Sequence, residues 1–162
     1  MAADTLTTLA TLVGTRLKAA GLTLASAESC TGGWLAQTVT AIAGSSDYFE
    51  RGFVTYSNIS KEELLGVRGE TLTRHGAVSE ETAREMALGA LTHSRASVAL
   101  AITGIAGPSG GTAAKPVGTV CFAWARRGAA ACAETRLFSG DREAVRRQAV
   151  IRALQGIIEL LE

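Results

Sequence analysis

The dozen residues Leu22–Gly33, LTLASAESCTGG, constrain this chain more than any other stretch. A short apolar run ends abruptly in Glu28-Ser29-Cys30-Thr31 and then Gly32-Gly33. That pattern is how a sheet strand hands the chain to a helix through a tight turn. At the C-terminal edge of an α/β sheet, such a turn opens into the crevice where ligands bind. The helix behind it aims free backbone N–H groups at the same place. A carboxylate, a hydroxyl and a thiol are thereby set beside an anion-friendly helix start, which is the layout of a catalytic site.

Periodicity and punctuation predict the remaining elements. Leu6, Leu9, Leu12, Val13, Leu17 and Ala20 recur at helical spacing, with Asp4 as the cap and Gly21 as the stop. Leu22–Ala27 is the first strand, and Gly33–Ile42 is a helix closed by Gly44. Phe53–Tyr56 is a second strand-like run, stopped by Ser57-Asn58. Ser60-Lys61-Glu62-Glu63 has the form of a capping box, which puts Lys61 in the first turn of a short helix. Glu70–His75 predicts another short helix, with Gly76 past its end. Ser79 opens an amphipathic helix to about Ser94, its apolar stripe being Ala83, Met86, Ala87, Ala90 and Leu91. Val98–Thr103 is almost wholly apolar, as a strand covered on both faces must be. The glycine-rich segment Gly104–Gly118, which holds both prolines, reads as a ligand loop. Val117–Ala125 and Ala131–Phe138 form a hairpin turning at Arg126–Gly128. Ser139-Gly140-Asp141 then caps a terminal helix to about Leu161, with Val145, Ala149, Ala153, Leu154, Ile157, Ile158 and Leu161 on its buried side. The expected fold is α/β: a three-layer α/β/α sandwich around a mixed, mostly parallel sheet of about five strands, as one domain over residues 1–162.

Composition narrows what such a domain does. With 47% hydrophobic and 19% charged residues, the chain is a compact globule and not a disordered one. A formal net charge of +1 argues against nucleic-acid binding through a broad basic surface. No apolar run approaches the roughly 18 residues of a membrane span, and the start MAADTLTTLATLVGTRL does not read as a secretory signal. Cys30, Cys121 and Cys132 contain no CxxC pair, and with two histidines they make neither a disulfide framework nor a zinc signature. A cytoplasmic protein without a metal or other cofactor is expected.

The hydroxyl of Ser29 needs a proton acceptor before it can attack anything. His75 precedes a helix-ending glycine and His93 falls on the polar face of a helix, so each reads more simply as a surface residue. Lys18 has ordinary exposed spacing on the first helix. Lys61 sits where the second strand turns into a helix, although a solvated helix residue is the plainer reading from spacing alone. A lysine at its free pKa is neutral in only about 1 molecule in 2,500 at pH 7, and lowering that pKa by about 3 units takes ~4 kcal/mol of desolvation or positive field. The alternatives around Ser29 stay open at this point. Ser29 or Thr31 is either a helix cap or a reactive group. Cys30 is either a small buried hydrophobe or itself the nucleophile. Glu28 either orients a lysine or a substrate group, or pairs with an arginine. Gly104-Ile105-Ala106-Gly107 follows a buried strand, which favours close backbone approach to a ligand, and it is not a Walker loop.

AESCTGG (27–33), GSSDYFERGFVTYSN (44–58) with Lys61, GAVSEE (76–81), TGIAGPSGG (103–111), KPVGTV (115–120) and FSGDREAVRRQ (138–148) closely resemble the CinA C-terminal domain family. The match covers nearly the whole chain after about Leu22, with the blocks in the expected order. Stand-alone members of that family resemble nicotinamide-nucleotide amidohydrolases. The resemblance implies hydrolysis of the carboxamide of nicotinamide mononucleotide to nicotinate mononucleotide and ammonia, by a serine–lysine amidase on a three-layer mixed-sheet fold. It implies Ser29 as nucleophile, Lys61 as general base, and Tyr56 hydrogen-bonding within that constellation. Backbone N–H groups at Cys30, Thr31, Gly32 and Gly33 are the expected oxyanion donors. Thr103, Gly104, Ile105, Ala106 and Gly107 are expected to line the nucleotide pocket, with Arg142 or Arg146 meeting the phosphate. The partner implied is a small pyridine nucleotide, and a homodimer is the expected assembly.

Two other classes compete. A nucleotide-binding or interaction module keeps fold and pocket without turnover. A phosphoryl-transfer enzyme or pyrophosphatase needs clustered carboxylates for magnesium, and Glu28 alone is poor material for that.

Overall fold

The computed structural model describes residues 4–162. The first three residues of the stretch read as lacking a secretory signal lie outside them. Helices α1 (Thr5–Ala20), α2 (Trp34–Thr40), α3 (Asn58–Leu65), α4 (Gly69–His75), α5 (Glu80–Thr92) and α6 (Arg142–Leu160) surround strands β1 (Leu24–Glu28), β2 (Phe49–Val54), β3 (Val98–Gly104), β4 (Thr119–Arg126) and β5 (Cys132–Leu137). The sheet order is β2-β1-β3-β4-β5. β1 pairs in parallel with β2 and β3, while β3–β4 and β4–β5 are antiparallel. Four of the five strands therefore run one way and β4 runs against them. The expected α/β/α sandwich with its mixed sheet is the fold found.

Strand alternation sorts side chains by size onto the two faces. Leu24, Val98, Leu100, Ile102, Val120, Phe122 and Trp124 meet α1, α2 and α6 on one face. Ala25, Ala27, Ala99, Ala101, Ala123 and Ala125 point to the other, where Ala83, Met86, Ala87 and Ala90 of α5 lie against them. Short side chains on both partners let the helix ride close to the sheet. α3 is pressed onto α5 just as tightly: a Cβ added at Gly89 would stand 1.9 Å from the Leu65 carbonyl oxygen. Gly89→Ala gains up to about 1 kcal/mol of helix propensity but forces two backbones apart. The expected net loss is ~2 kcal/mol, or a fall in Tm of roughly 4–8 °C. A thermal melt of Gly89→Ala with an unchanged or raised Tm would show that the α3–α5 contact yields without cost.

Several boundaries differ from the sequence expectation. β2 begins at Phe49, four residues earlier, and ends before Thr55-Tyr56. It is an edge strand, so it tolerates Glu50 and Arg51 where an apolar run was sought. α2 stops at Thr40, whose hydroxyl donates back to the Ala36 carbonyl, short of Ile42. The cap of α3 is Ser57, whose hydroxyl accepts from the Ser60 N–H, so Ser60 opens no capping box. Asp4 stands at the N-cap of α1 without capping it, because its carboxylate pairs with Arg147. Among the described residues, no helix is long and apolar enough to cross a membrane.

Candidate functional site

The crevice lies at the C-terminal ends of β1 and β3. The chain leaves β1 toward β2 on one side and returns to β3 on the other, which makes this edge the topological switch point where open α/β sheets bind ligands. A cavity of about 280 Å³ opens there, walled by Ser29, Cys30, Tyr56, Lys61, Arg142 and the Thr103–Gly107 turn.

The turn after β1 is built by Glu28. Its carboxylate is fully buried and accepts from the N–H groups of Leu35 (2.9 Å) and Ala36 (3.1 Å), in the first turn of α2. A carboxylate on unpaired helix N–H groups matches the dipole, so Glu28 ties strand to helix. Among the described residues it pairs with no lysine or arginine, and it does not line the cavity. Gly32 and Gly33 carry φ of 60° and 105°, which side-chain-bearing residues adopt only with strain. Their requirement is the bend between strand and helix, and neither lines the cavity. The Thr31 side chain does not line it either, and its hydroxyl is buried and unpartnered. Within the turn, the Gly32 N–H donates to the Ser29 carbonyl and the Trp34 N–H to the Thr31 carbonyl. Among the described residues, no carbonyl takes the N–H of Cys30 or Thr31.

Lys61 comes from the other side of β1. Because Ser57 starts the helix, Lys61 is its fourth residue and points inward, with 1% of its surface exposed. Its Nζ lies 2.9 Å from Ser29 Oγ, 2.8 Å from the Thr55 carbonyl and 3.5 Å from the Tyr56 carbonyl. Desolvation pushes its pKa below the ordinary lysine value, against a smaller opposite pull from Cys30. A neutral amine has two N–H groups and one lone pair. The two carbonyls can take the former, which leaves the latter for the serine hydroxyl. An uncharged amine at this distance can remove the hydroxyl proton.

The neighbouring thiol is tuned the opposite way. Burial pushes Cys30 up to about 11, with Arg146 pulling against it, so the group is a protonated, inert thiol near neutral pH. Tyr56 is 62% exposed at the cavity rim, and its hydroxyl takes a hydrogen bond from Arg142 at 3.0 Å. Only its backbone carbonyl approaches Lys61, so the phenol joins the cavity rim through Arg142 and not through the lysine. Arg142 also donates to the Gly107 carbonyl at 2.8 Å, and it is the cationic side chain on the cavity wall. Arg146 is not on that wall; it donates to the carbonyls of Cys30 (3.0 Å) and Thr31 (3.1 Å). Thr103 lines the cavity and secures its far side by donating to the Ala77 carbonyl at 2.8 Å. A Cβ on Gly104 would meet Val120 at 2.8 Å, so this glycine serves close packing of the β3–β4 ends.

Asn58, Ala77, Val78, Ser109 and Gly110 also line the cavity. Their types alone do not single them out, though each falls inside a block of the family pattern. His93 ends α5 on the surface, and His75 belongs with Lys115 to a separate, larger depression of about 630 Å³. There Lys115 donates to the His75 carbonyl, and no amine faces a hydroxyl as Lys61 faces Ser29. Lys18 is an exposed partner of Asp47. No group of three or more metal-ligating side chains occurs among the described residues.

Known proteins resemble this chain closely. The crystal structure of competence/damage inducible protein CihA from Agrobacterium tumefaciens superposes with a TM-score of 0.95 at 45% identity, over 100% of this chain and 99% of that one. The nicotinamide-nucleotide amidohydrolase PncC of Escherichia coli K12 is 59% identical over 143 residues, covering 88% of this chain and 87% of the relative. The protein of the same name from Pseudomonas putida is 50% identical over 157 residues, covering 97% and 98%. The family model described as the CinA C-terminal domain matches residues 6–161. This chain belongs to the CinA C-terminal domain family.

Proposed function

We propose that the protein is a nicotinamide-nucleotide amidase, which hydrolyses the carboxamide of nicotinamide mononucleotide to nicotinate mononucleotide and ammonia. The relatives named for this activity support the reaction. The observation that carries the chemistry is the 2.9 Å approach of the buried Lys61 amine to the Ser29 hydroxyl.

The pyridine ring enters against Ala77, Val78, Ile105 and Ala106, with the phosphate outward toward the Arg142 fork. Ser29 Oγ bonds to the carboxamide carbon while its proton passes to the Lys61 lone pair and the carbonyl π electrons move onto oxygen. The N–H groups of Cys30 and Thr31 meet that oxyanion. The C–N bond then breaks, and Lys61 returns the proton to the departing nitrogen, releasing ammonia. A water gives its proton to Lys61 as it attacks the ester. The acyl–Oγ bond breaks with the proton going back to Ser29, and the acid product ionises to nicotinate mononucleotide.

On this reading residues 1–162 act as one amidohydrolase domain in a reducing compartment, the cytoplasm, consistent with three free cysteines. A homodimer is the assembly we propose. The test of function is ammonia release by the purified protein from nicotinamide, its riboside and its mononucleotide in parallel. Release only from the mononucleotide is expected. Tight binding of the mononucleotide without ammonia would instead make the protein a binding module.

A further inference from the structure

We infer that Arg146 is a positioning residue for this chemistry: it fixes the peptide planes after Ser29, so that the N–H groups opposite stand ready for the oxyanion. The inference rests on the amidase reading above and deepens it. Arg146 rises from the second turn of α6 and spans two successive carbonyls, Nε to Cys30 and Nη2 to Thr31, at 3.0 and 3.1 Å. The same guanidinium lies over the Trp34 ring, 5.5 Å from its centroid. Two prongs and a stacked face leave the group little freedom, and neither prong meets a carboxylate that would neutralise it.

In a trans peptide the carbonyl and the N–H point in opposite directions. The one cis bond among the described residues is Gly107–Pro108, so the turn is trans throughout. Pulling the Cys30 carbonyl toward Arg146 therefore turns the Thr31 N–H away from it, and no carbonyl within the described residues takes that N–H. Holding the Thr31 carbonyl likewise aims the Gly32 N–H, which closes on the Ser29 carbonyl at 3.1 Å. Carbonyls gathered on one side leave a concavity of N–H groups on the other, the form that backbone anion sites take. Ser29 and Cys30 border the cavity and Arg146 does not, so the arginine acts through the peptide and not on the substrate.

Arg146→Lys keeps a charge but not the fork, and Arg146→Ala removes both. Each is assayed for ammonia release from nicotinamide mononucleotide, and for the rate at which a small phosphonofluoridate labels Ser29. In the labelling step Oγ–P forms, P–F breaks and Lys61 takes the proton, while the phosphoryl oxygen uses the same donors. The expected result is a kcat lowered by about 10–100-fold with KM within about twofold. Labelling should slow by a similar factor, and added guanidinium should partly restore Arg146→Ala. Arg147→Lys, on the surface beside Asp4, is the control expected to match wild type. Wild-type kcat and labelling in both variants would overturn the inference, as would a loss confined to KM. A wild-type protein that labels but releases no ammonia removes the amidase reading alone, and labelling of the variants then decides Arg146. A wild type that does neither removes both. If Arg146→Ala fails to fold, Arg146→Lys decides.

Discussion

Ser29→Ala is expected to lose ammonia release by about four orders of magnitude or more, while its affinity for nicotinamide mononucleotide stays within a few-fold of wild type. The substitution removes one oxygen from a cavity wall and leaves the rest of the site as it was. Lys61 keeps its Thr55 carbonyl, the turn keeps its Gly32–Ser29 backbone bond, and Arg142 keeps its place at the rim. What is lost is the atom that forms the covalent bond, so the damage should fall on kcat. Cys30→Ala is the matching experiment. With its pKa held near 11, the thiol supplies roughly one thiolate in ten thousand at pH 7. Removing it should therefore change kcat by less than about tenfold. Steady-state rates for the two variants, with nucleotide affinity by calorimetry, make the comparison. An active Ser29→Ala beside an inactive Cys30→Ala would move the nucleophile one residue along the chain.

The site was most legible where backbone geometry demands particular residues. Ser29 followed by Gly32-Gly33 announced a strand-to-helix turn because two successive positive φ angles leave few substitutes for glycine. β3 read correctly as a buried strand for a different reason, since a strand covered on both faces must be apolar along its length. Long-range pairing was not legible. Glu28 carries a carboxylate beside a candidate nucleophile, and only the position of the α2 N-terminus shows that its oxygens are already taken. Arg142 and Arg146 are one helical turn apart on α6 and indistinguishable by type. They divide between the cavity wall and the turn carbonyls because of where α6 packs. Lys61 was found by its position after β2, but its burial comes from the cap at Ser57, which sets the helix phase.

Lys61→Met is expected to lower kcat by about 10³–10⁶-fold and, at the same time, to remove a pH-dependent burden on the fold. The sign follows from proton counting. Burial lowers the folded-state pKa of Lys61, whereas the unfolded chain keeps the ordinary value near 10.4. Between those two values the unfolded state binds more protons than the native state, so wild-type stability rises with pH across that window. The steepest slope is about 1.4 kcal/mol per pH unit. Methionine has no proton to bind, so the variant lacks this slope. It also loses the donor to the Thr55 carbonyl, which costs about 1–3 kcal/mol but does not vary with pH. The stability of Lys61→Met relative to wild type should therefore be most favourable at low pH and shrink steadily toward pH ~10. Urea unfolding of both proteins at several pH values measures that difference. Parallel stability curves would mean that Lys61 keeps an ordinary pKa and is charged when Ser29 must surrender its proton. A neutral amine would then have to come from somewhere other than the resting enzyme. Activity supplies the same test from the other direction. Acylation needs the lone pair, so wild-type kcat/KM should climb as pH rises through the lowered lysine value. The fold loses stability at neutral pH to the same proton equilibrium that makes the base available.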